Sequence, residues 1–510
     1  MSIKVLDCTL RDGGYINDWR FGRKTICSIL DKLERAGIDI IECGFLTGKR
    51  QRISMFVAMI AIGEKELHPV LLEPCDGKSI EGIRLTFHKM EMEKAFEWAK
   101  IIMEKGYRVF MQPVGTVFYS DLELLKLVEK INRLNPYAFY IVDTLGSMYR
   151  NDVSHCFYLI DKNMNSGIHL GFHGHNNLQL AFSNAQVLGK IQTKRTLILD
   201  ASVYGMGRGA GNLPTELITQ YINKNIVSRY DTTMVMDIYD DYISAIRRQY
   251  DWGYSIPYHI AASYVCHPNY ASYLMNKRTL TMKDIEEIIQ SIPGEDKVLY
   301  DRTKIERLYV QFQNRKIDDA KAVEEIRNRI GGRKILLLAP GQSLQEEYEK
   351  IMEFIRREHP YVISVNFVDT AYRMDACFVS NHKRMDIIER EIRSMKDVLV
   401  ILTSNIPAKI ENSLRVDYKR YTNGDELILD NAGLMLLKLL KECKVNEAAL
   451  AGFDGFGHRR GRNYYSPELN LQTDAKTAAL RQERIRKQIK ELQMELHFLT
   501  RSAYEEKDHV

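Results

Sequence analysis

Features of secreted and membrane proteins are scarce in this sequence. Its eight cysteines are scattered over 510 residues and form no C-x-x-C pair, so no compact disulfide framework is indicated. No apolar stretch approaches the ~18 residues of a membrane-spanning helix, and the first residues lead into a strand-like run rather than an apolar signal segment. We therefore expect a cytoplasmic protein with reduced thiols and no membrane span.

Strong charge of either sign is also absent. The formal net charge is +5, and no run of lysine and arginine is long enough to form a basic tail, which argues against a nucleic-acid partner. No G-x-G-x-x-G turn followed by a ribose-binding acid is present, so an NAD-dependent dehydrogenase is disfavoured. The hydrophobic content of 45% and the charged content of 27% are ordinary for a globular protein.

The first part of the chain alternates short apolar runs with amphipathic stretches. Eight runs that read as buried parallel strands predict a closed (β/α)8 TIM barrel, and an open doubly wound sheet is the alternative. The predicted strands are Ile3–Thr9, Ile38–Gly44, Pro69–Glu73, Ile83–His88, Arg108–Val114, Ala138–Asp143, His169–His173 and Thr196–Ser202.

A chain of this length is expected to form at least two domains. We assign 1–225 to the barrel, 226–330 to a helical appendage on it, 331–465 to a Rossmann-like α/β domain and 466–510 to a C-terminal helical tail. In the tail, from Asp474 to about Arg501, leucine and isoleucine follow heptad spacing without Gly or Pro. This predicts a helix that either packs on its own domain or joins copies of the chain in a homo-oligomer.

The strongest chemical pattern is "GFHGHNN", which ends a predicted strand. Its two histidines, His173 and His175, are two residues apart and therefore face the same side of the strand. Asp12 ends the first strand, on the face where barrel enzymes carry their chemistry. One carboxylate and two imidazoles suit Mn²⁺, Mg²⁺, Co²⁺ or Zn²⁺. The alternatives are two hydrogen-bonded histidines and an aspartate that caps the turn before Gly13.

A glycine-rich stretch, "YGMGRGAGNLPTE", follows the eighth predicted strand. Its glycines allow the backbone to approach a ligand closely. Asn212 precedes a predicted helix over Leu213–Tyr221, where it could cap the helix or reach the metal.

Together these stretches resemble the DRE-TIM metallolyase family of aldolases and Claisen enzymes. The resemblance covers about residues 1–270 and rests on "TLRDGG", "IECGF", "VDTLGSM", "GFHGHNN" and "GMGRGAGNLPTE" in the family's order. The "RDGG" and "DTLGSM" forms are most similar to those of 4-hydroxy-2-oxovalerate aldolases. The resemblance implies that Asp12, His173 and His175 hold a divalent cation to which a 2-oxo acid binds, and Asn212 is a further candidate ligand.

The resemblance also implies roles for four other residues. Arg11 stabilises the enolate oxygen that develops when the carbon–carbon bond breaks. Glu42 and Asp143, at the ends of strands two and six, form polar support around the metal and substrate, for which structural hydrogen bonds are the alternative. Thr144 binds the substrate carboxylate.

One position departs from the resemblance. The hydroxy-oxovalerate aldolases carry an acid–base histidine three residues after the metal aspartate, and here that residue is Tyr15. A phenol with a pKa near ~10 is a poor base at pH 7, so Tyr15 would act only if the metal and Arg11 lower its pKa. His88, at the end of strand four, and then His267 are the other candidates. The change from histidine to Tyr15 also predicts an aldehyde substrate different from that of the hydroxy-oxovalerate aldolases.

The second domain begins with "ILLLAPGQSL", a strand, a tight turn and a helix start that could receive an anion. With "VISVNF", "DACFVSN" and "GFDGFGHRRG" it resembles sialyltransferase-like and hydroxymethylpterin-pyrophosphokinase-like Rossmann domains. This resemblance implies a nucleotide or nucleotide-sugar bound near Gly341, Ser343, Asn366, Asn381 and Asp454, with phosphates facing His458, Arg459, Arg460 and Arg462.

The sequence thus predicts a metal-dependent aldolase that acts on a 2-oxo acid and an aldehyde. An acyl-CoA Claisen-type synthase is one alternative, although nothing in the sequence marks a CoA site. A glycosyl or nucleotide transferase with an inactive barrel is the other.

Overall fold

The computed structural model describes residues 2–43, 54–314, 316–455, 464 and 475–505. The chain folds into two compact units, of which the first comprises Met1–Met275 with Ile285–Asp301 and the second Asn276–Asp284 with Arg302–Val510. The predicted appendage is therefore divided, because 302–330 belong to the second unit. Among the described helices, none combines the length and the hydropathy that a membrane span requires.

Eight parallel strands close into a barrel in the first unit, which confirms the predicted fold class. The strands are β1 (Ile3–Asp7), β2 (Ile40–Glu42), β3 (Met55–Ala61), β4 (Gly82–Phe87), β5 (Arg108–Pro113), β6 (Ala138–Asp143), β7 (His169–Gly174) and β8 (Leu197–Ala201). The helices up to residue 301 are α1 (Gly14–Asn17), α2 (Arg23–Arg35), α3 (Met92–Glu104), α4 (Asp121–Leu134), α5 (Arg150–Asn163), α6 (Ala181–Lys190), α7 (Thr215–Asn225), α8 (Thr232–Ile238), α9 (Ser244–Gln249), α10 (Ile256–Ser263), α11 (Pro268–Lys277) and α12 (Met282–Ser291).

The barrel elements form where local sequence and burial agree. All six residues of β6, "AFYIVD", are buried, as expected for a parallel strand covered on both faces. Helix α4 begins at a Ser120 capping box and ends at Asn135, whose φ of 52° stops the helix. Its buried residues Leu124, Leu127, Val128 and Ile131 share one face.

The predicted third strand is wrong. The strand is Met55–Ala61, and the predicted segment instead contains a short 3₁₀ turn, Pro69–Leu71. The apolar run "MFVAMIA" lies mostly in the core, whereas Val70 and Leu71 are exposed. Pro69 lacks the N–H that a central strand donates, which favours a turn there.

Asp7, at the end of β1, is a buried carboxyl group. Its two oxygens accept hydrogen bonds from the Thr9 N–H at 3.0 Å and from the Thr215 hydroxyl at 2.6 Å. Burial outweighs these bonds and raises the pKa of Asp7 to about 6. Because the unfolded chain releases this proton near pH ~4, the folded chain binds more protons between the two values. Raising the pH through this interval therefore removes stability.

We expect Asp7→Asn to remove this pH dependence, because the amide does not ionise. Its oxygen can still accept the Thr9 N–H, and its Nδ2 can donate to the Thr215 hydroxyl oxygen. A shift of two pKa units corresponds to about 3 kcal/mol. The free energy of unfolding of the wild-type barrel should therefore fall by about that amount, relative to the variant, between pH 4 and pH 7. Denaturant unfolding of both proteins at the two pH values measures this difference. Parallel changes in both proteins would contradict the assignment.

The second unit contains a seven-stranded parallel sheet in the order β13-β12-β11-β10-β9-β14-β15. Its strands are β9 (Ile335–Leu338), β10 (Tyr361–Val365), β11 (Ala376–Val379), β12 (Leu399–Thr403), β13 (Ser413–Val416), β14 (Glu447–Ala451) and β15 (Glu495–Phe498). The helices from residue 302 onward are α13 (Arg302–Gln313), α14 (Ala320–Ile330), α15 (Ser343–Glu346), α16 (Tyr348–Glu358), α17 (His382–Ser394), α18 (Tyr418–Tyr421), α19 (Ala432–Glu442) and α20 (Ala475–Glu491).

The tail is not one helix, and Asp474 lies outside the described residues. Helix α20 ends at Glu491, Gln493 takes a φ of 51°, and Glu495–Phe498 joins the sheet beside β14. Leu492, Leu496 and Phe498 pack on the core of the second unit. Pairing with an available sheet edge and burial of these side chains explain why the heptad pattern does not continue as a helix.

Candidate active site

Three of the predicted metal ligands meet at the carboxyl ends of β1, β7 and β8. Asp12 Oδ2 lies 3.4 Å from His173 Nε2 and accepts a hydrogen bond from Asn212 Nδ2 at 3.0 Å. All three side chains are buried. Parallel strands direct their carboxyl ends to one rim of a barrel, which brings residues 200 positions apart into contact. Asn212 does not cap the next helix, which begins at Thr215.

The Asp12 turn depends on its glycine. The N–H of Asp12 donates to the Cys8 carbonyl at 2.8 Å, which folds the chain back after β1. A Cβ at Gly13 would lie 2.3 Å from the carbonyl oxygen of Thr9 and 2.9 Å from the sulfur of Met206. The adjacent backbone thus requires glycine at this position for Asp12 to reach the barrel mouth.

Asp12 is a charged ligand candidate. Burial works against its ionisation, yet Arg11 and the hydrogen bond with His173 hold the pKa of Asp12 well below its usual range. Its Oδ1 accepts no hydrogen bond from the described residues, and neither does the buried Oδ1 of Asn212. Buried oxygens without donors are costly unless a ligand or cation satisfies them, so this arrangement fits a divalent cation.

Asp200, which was not predicted, orients His173. Its Oδ2 lies 3.0 Å from His173 Nδ1, while His173 Nε2 is directed toward Asp12. Burial opposes protonation of the imidazole, but the hydrogen bonds to Asp12 and Asp200 raise the pKa of His173. A carboxylate on the far nitrogen is the common support of a metal-binding histidine because it fixes the ring and the tautomer.

The ring of His175 is nearly perpendicular to that of His173, with centroids 5.1 Å apart. Burial lowers the pKa of His175 to about 3, so the imidazole is neutral at pH 7 and available as a ligand. Among the described residues, however, the tight cluster of ligand-type atoms that includes Asp12 and His173 contains Cys8 rather than His175, with all three atoms within 4.8 Å of one another.

The Cys8 thiol is a poor ligand despite this proximity. It donates to the Ala201 carbonyl at 3.2 Å, and burial together with Asp12 raises the pKa of Cys8 well above its usual value. Metal binding by cysteine requires the thiolate.

We therefore expect Cys8→Ala to bind Mn²⁺ like the wild type and His175→Ala to bind it far more weakly. Loss of a ligand should exceed the roughly 10–100-fold cost of removing an outer partner of a ligand. Isothermal titration calorimetry with Mn²⁺ on both variants provides the comparison. Equal losses in the two variants, or a loss in Cys8→Ala alone, would assign the third ligand to Cys8.

A chain of buried charges runs through the barrel from Arg11. The Arg11 Nε donates to Glu42 Oε2 at 2.8 Å. The same Glu42 oxygen and Asp200 Oδ2 both accept hydrogen bonds from Arg84, a fully buried residue in the middle of β4. Arg84 was not predicted, although a lone arginine inside the apolar run "GIRLTF" was a visible signal. These contacts link Arg11, through Arg84, to the aspartate that orients His173.

Asp143 and Thr144 make structural hydrogen bonds. The Asp143 carboxylate accepts the N–H groups of Ser147 at 2.9 Å and Met148 at 3.2 Å, and burial raises its pKa to about 7. The Thr144 hydroxyl accepts the Gly115 N–H at 2.9 Å. These bonds favour the structural alternative for Asp143, and the substrate-binding role of Thr144 stays a prediction.

Tyr15 lies beside cations. The Arg208 guanidinium is 4.2 Å from its ring centroid, and Trp19 contacts its edge. Burial nevertheless raises the pKa of Tyr15 above its usual value, against the attraction of Arg208 and Arg11. The protein's own charges therefore do not give the lowered pKa that a basic role would require.

His88 begins a short turn, where its N–H donates to Glu91 at 3.0 Å. The Nδ1 of His267 accepts the Asn269 N–H at 3.2 Å. Burial lowers the pKa of His267 to about 3, and the charges of Arg208, His175 and His88 add to this effect.

The predicted residues of the second unit belong to a network of turns. The Ser343 N–H donates to Asp454 Oδ2 at 2.8 Å and the Ser343 hydroxyl to Asp454 Oδ1. Asn366 accepts the Ser380 N–H, and Asn381 caps α17 through the Arg384 N–H. The start of α15 is thus already bound by a carboxylate of the chain itself. His458, Arg459, Arg460 and Arg462 lie outside the described residues.

Known proteins of one kind are similar to the barrel. The HMGL-like domain family matches residues 84–241. The 4-hydroxy-2-oxovalerate aldolase of Geobacillus thermodenitrificans is 25% identical over 270 residues, covering 48% of this chain and 76% of that protein. These matches support the resemblance of the barrel to the DRE-TIM metallolyases. The 4-hydroxy-2-oxovalerate aldolase of Carboxydothermus hydrogenoformans is 28% identical over 275 residues, or 48% of this chain and 79% of that protein.

The relatives are aldolases and the matching family model is HMGL-like, which indicates that the chain is a lyase of the aldolase type. Among solved structures, the N-terminal domain of a candidate aldolase from Bacteroides vulgatus is similar to it at 26% identity, with a TM-score of 0.48. That domain is covered completely, together with 57% of this chain. The matches to the curated aldolases cover less than half of this chain, which leaves the second unit without a curated relative among these proteins.

Proposed function

We propose that this protein is a metal-dependent aldolase that forms or cleaves a carbon–carbon bond of a 2-oxo acid through a pyruvate-type enolate. The observation that carries the proposal is the buried pair of Asp12 and His173 beside the Arg11 guanidinium at the barrel mouth. The names of the relatives, 4-hydroxy-2-oxovalerate aldolases, support a 2-oxo acid as substrate class.

Asp12, His173 and His175 are the residues that would hold a divalent cation, with Asn212 as a further oxygen donor. Oxygen and nitrogen donors without thiolate suit Mn²⁺, Mg²⁺, Co²⁺ or Zn²⁺. When bound, the cation supplies Lewis acidity to an oxygen of the substrate. The neutral His175 and the ionised Asp12 are in the state that coordination requires. Asp200 orients the ring of His173, whose Nε2 must release its proton for a cation to bind there.

Arg11 is the residue that stabilises negative charge on the enolate oxygen. Its Nε is fixed by Glu42, and its NH1 lies 3.4 Å from Asp12 Oδ1. This contact aims the guanidinium at the face of the barrel where the carboxylate is located. A positioned cation in a buried site stabilises developing charge without reorganisation, and one such donor contributes about 3 kcal/mol.

Proton transfer falls to Tyr15, His88 or His267. A Tyr15 phenol with a raised pKa is protonated at pH 7 and can donate a proton to an alkoxide but not remove one. This assigns Tyr15 to the acid side of the reaction and leaves the two histidines as candidate bases.

Exchange of the methyl protons of pyruvate tests the proposal without knowledge of the aldehyde. In D₂O, deuterium should enter the methyl group when Mn²⁺, Mg²⁺, Co²⁺ or Zn²⁺ is present and should stop entering when EDTA is added. NMR follows the loss of the methyl proton signal. Absence of exchange with all four metals, in protein shown by calorimetry to bind one of them, would refute the proposal.

We also propose that the second unit binds a nucleotide or a nucleotide-sugar. Support comes from four of the predicted residues, Gly341, Asn366, Asn381 and Asp454, which line one cleft of that unit. Homo-oligomer formation stays a prediction, and size measurement in solution would test it.

A further inference from the structure

A cleft in the second unit opens at the carboxyl ends of its central strands. Its walls include Ala339 and Gly341 after β9, Asn366 after β10, and Gly452 and Asp454 after β14. From β9 the chain continues outward through β10 to β13, and it then crosses to the other side of β9 to form β14. The cleft therefore lies at the point where the strand order reverses, which is the usual ligand site of an open parallel sheet.

Two glycines bring the backbones of these turns together. The Gly341 N–H donates to the Gly452 carbonyl at 3.0 Å. A Cβ on Gly341 would lie 2.2 Å from that carbonyl oxygen. The turns after β9 and β14 approach each other closely where the strand order reverses. The base of the cleft is therefore formed by main-chain atoms rather than by side chains.

Three arginines line the same cleft from three different segments. Arg278 follows α11 with a φ of 58°, Arg384 is in the first turn of α17, and Arg481 is in α20. All three are half-buried, and the guanidinium carbon of Arg384 is 5.5 Å from the ring centroid of Tyr464. Burial and repulsion by Arg481 lower the pKa of Arg278, as expected when like charges are gathered in a partly dry site.

The cleft also presents amide donors. The side-chain oxygens of Asn366, Asn381 and Asn431 accept backbone N–H groups, at 3.0, 3.1 and 3.0 Å respectively. Within the described residues, these bonds use the oxygens and leave the three Nδ2 groups for a ligand.

The two aspartates of the cleft accept hydrogen bonds from other residues of the protein. Asp454 accepts both hydrogen bonds from Ser343, and Asp430 accepts the Tyr309 hydroxyl at 2.7 Å. The described surface of the cleft therefore combines three guanidinium groups with three amide donors. Such a surface matches a ligand rich in acceptor oxygens that carries negative charge.

We infer that Arg278, Arg384 and Arg481 bind the phosphate of a phosphate ester in this cleft. The inference rests on the proposal that the second unit binds a nucleotide or nucleotide-sugar, and it names the groups that hold the phosphate. Guanidinium groups pair with phosphate oxygens in bidentate geometry, and the amide donors suit hydroxyl or base oxygens of the esterified part. Nucleotides and sugar phosphates share this chemistry.

Calorimetric titration of the full chain tests the inference. The probes are CMP, UMP, AMP and GMP, each compared with its nucleoside, together with glucose 6-phosphate and inorganic pyrophosphate. At least one phosphorylated probe should bind, and the matching unphosphorylated compound at least tenfold more weakly. Arg278→Gln, Arg384→Gln and Arg481→Gln should each weaken that probe about tenfold. Arg393→Gln, on the exposed side of the same helix α17 as Arg384, should change nothing.

The outcomes distinguish the inferred phosphate site from the proposal that the second unit binds a nucleotide or nucleotide-sugar. Binding of a sugar phosphate or pyrophosphate that depends on the arginines, without binding of any nucleotide, supports the phosphate site and refutes the nucleotide proposal. Nucleotide binding that is equal in all variants refutes the phosphate site and supports the nucleotide proposal. No binding of any phosphorylated probe at millimolar concentration refutes both. A far-ultraviolet circular dichroism spectrum and a denaturant unfolding midpoint equal to those of the wild type serve as the check that each variant is folded.

Discussion

Replacement of Asp12 by Asn should reduce metal-dependent deuterium exchange of pyruvate roughly a thousandfold, equivalent to about 4 kcal/mol of transition-state stabilisation. Asp12 is fully buried and ionised, and its Oδ1 accepts no hydrogen bond from the described residues, although Arg11 NH1 lies 3.4 Å away. The amide keeps the size of the side chain but removes the charge that attracts a cation. The rate of exchange at saturating Mn²⁺, measured by NMR, gives the effect on catalysis.

Asp7→Asn is the matched control for this variant. It makes the same carboxylate-to-amide change at a buried position five residues away, where the side chain contacts Thr9 and Thr215 rather than the candidate ligands. Asp7→Asn should keep exchange within about twofold of wild type, while Asp12→Asn should also lose calorimetric Mn²⁺ binding. Exchange that persists in Asp12→Asn would show that Asp12 is not a ligand of the metal.

Replacement of Arg84 by Met should destabilise the barrel by about 3–5 kcal/mol, which is the usual cost of removing one partner from a buried ion pair. Arg84 binds Glu42 and Asp200 with no exposure of any of the three side chains. Methionine would fill most of the volume of the arginine side chain. The carboxylates of Glu42 and Asp200 would, however, lose the cation that they share. Denaturant unfolding, monitored by tryptophan fluorescence, should show the loss at pH 7.

Two further variants define what Arg84 contributes. Arg133→Met removes an exposed ion pair with Glu129 on helix α4 and should cost less than about 1 kcal/mol. Adding Glu42→Gln and Asp200→Asn to Arg84→Met should recover part of the loss, because no buried charge then remains unpaired. A loss below about 1 kcal/mol in Arg84→Met would show that water or a shifted arginine compensates the two acids.

Much of the active site could be predicted because parallel topology is restrictive. Once "IKVLD" and "HLGFHG" are strands of one closed barrel, their carboxyl ends must meet at the same rim. Asp12 and His173 are therefore brought together by strand direction, although 161 residues separate them along the chain. The pleat of a strand likewise predicts that His173 and His175 face the same side, although His175 lies one residue beyond the end of β7.

The errors arose where local sequence does not choose between structures. The segment around Pro69 and the segment Met55–Ala61 both contain apolar runs, and burial selects the second. In the tail, Leu496 fits a helical repeat as well as it fits a strand. The segment forms strand β15 rather than a helix because it pairs with the edge of β14 and buries its apolar side chains there.

The sequence by itself determined the barrel, the Asp12 turn and the order of the ligand-bearing strands, because these follow from periodicity, glycine positions and strand direction. Only the tertiary structure decided the partners of each charge. Arg84 and Asp200 are each the one charged residue of their strand, and the strand sequences do not reveal that the two side chains, 116 residues apart, bind each other. The three arginines of the second cleft come from segments with no pattern in common. Long-range electrostatics depends on distances and burial, which only the folded chain fixes.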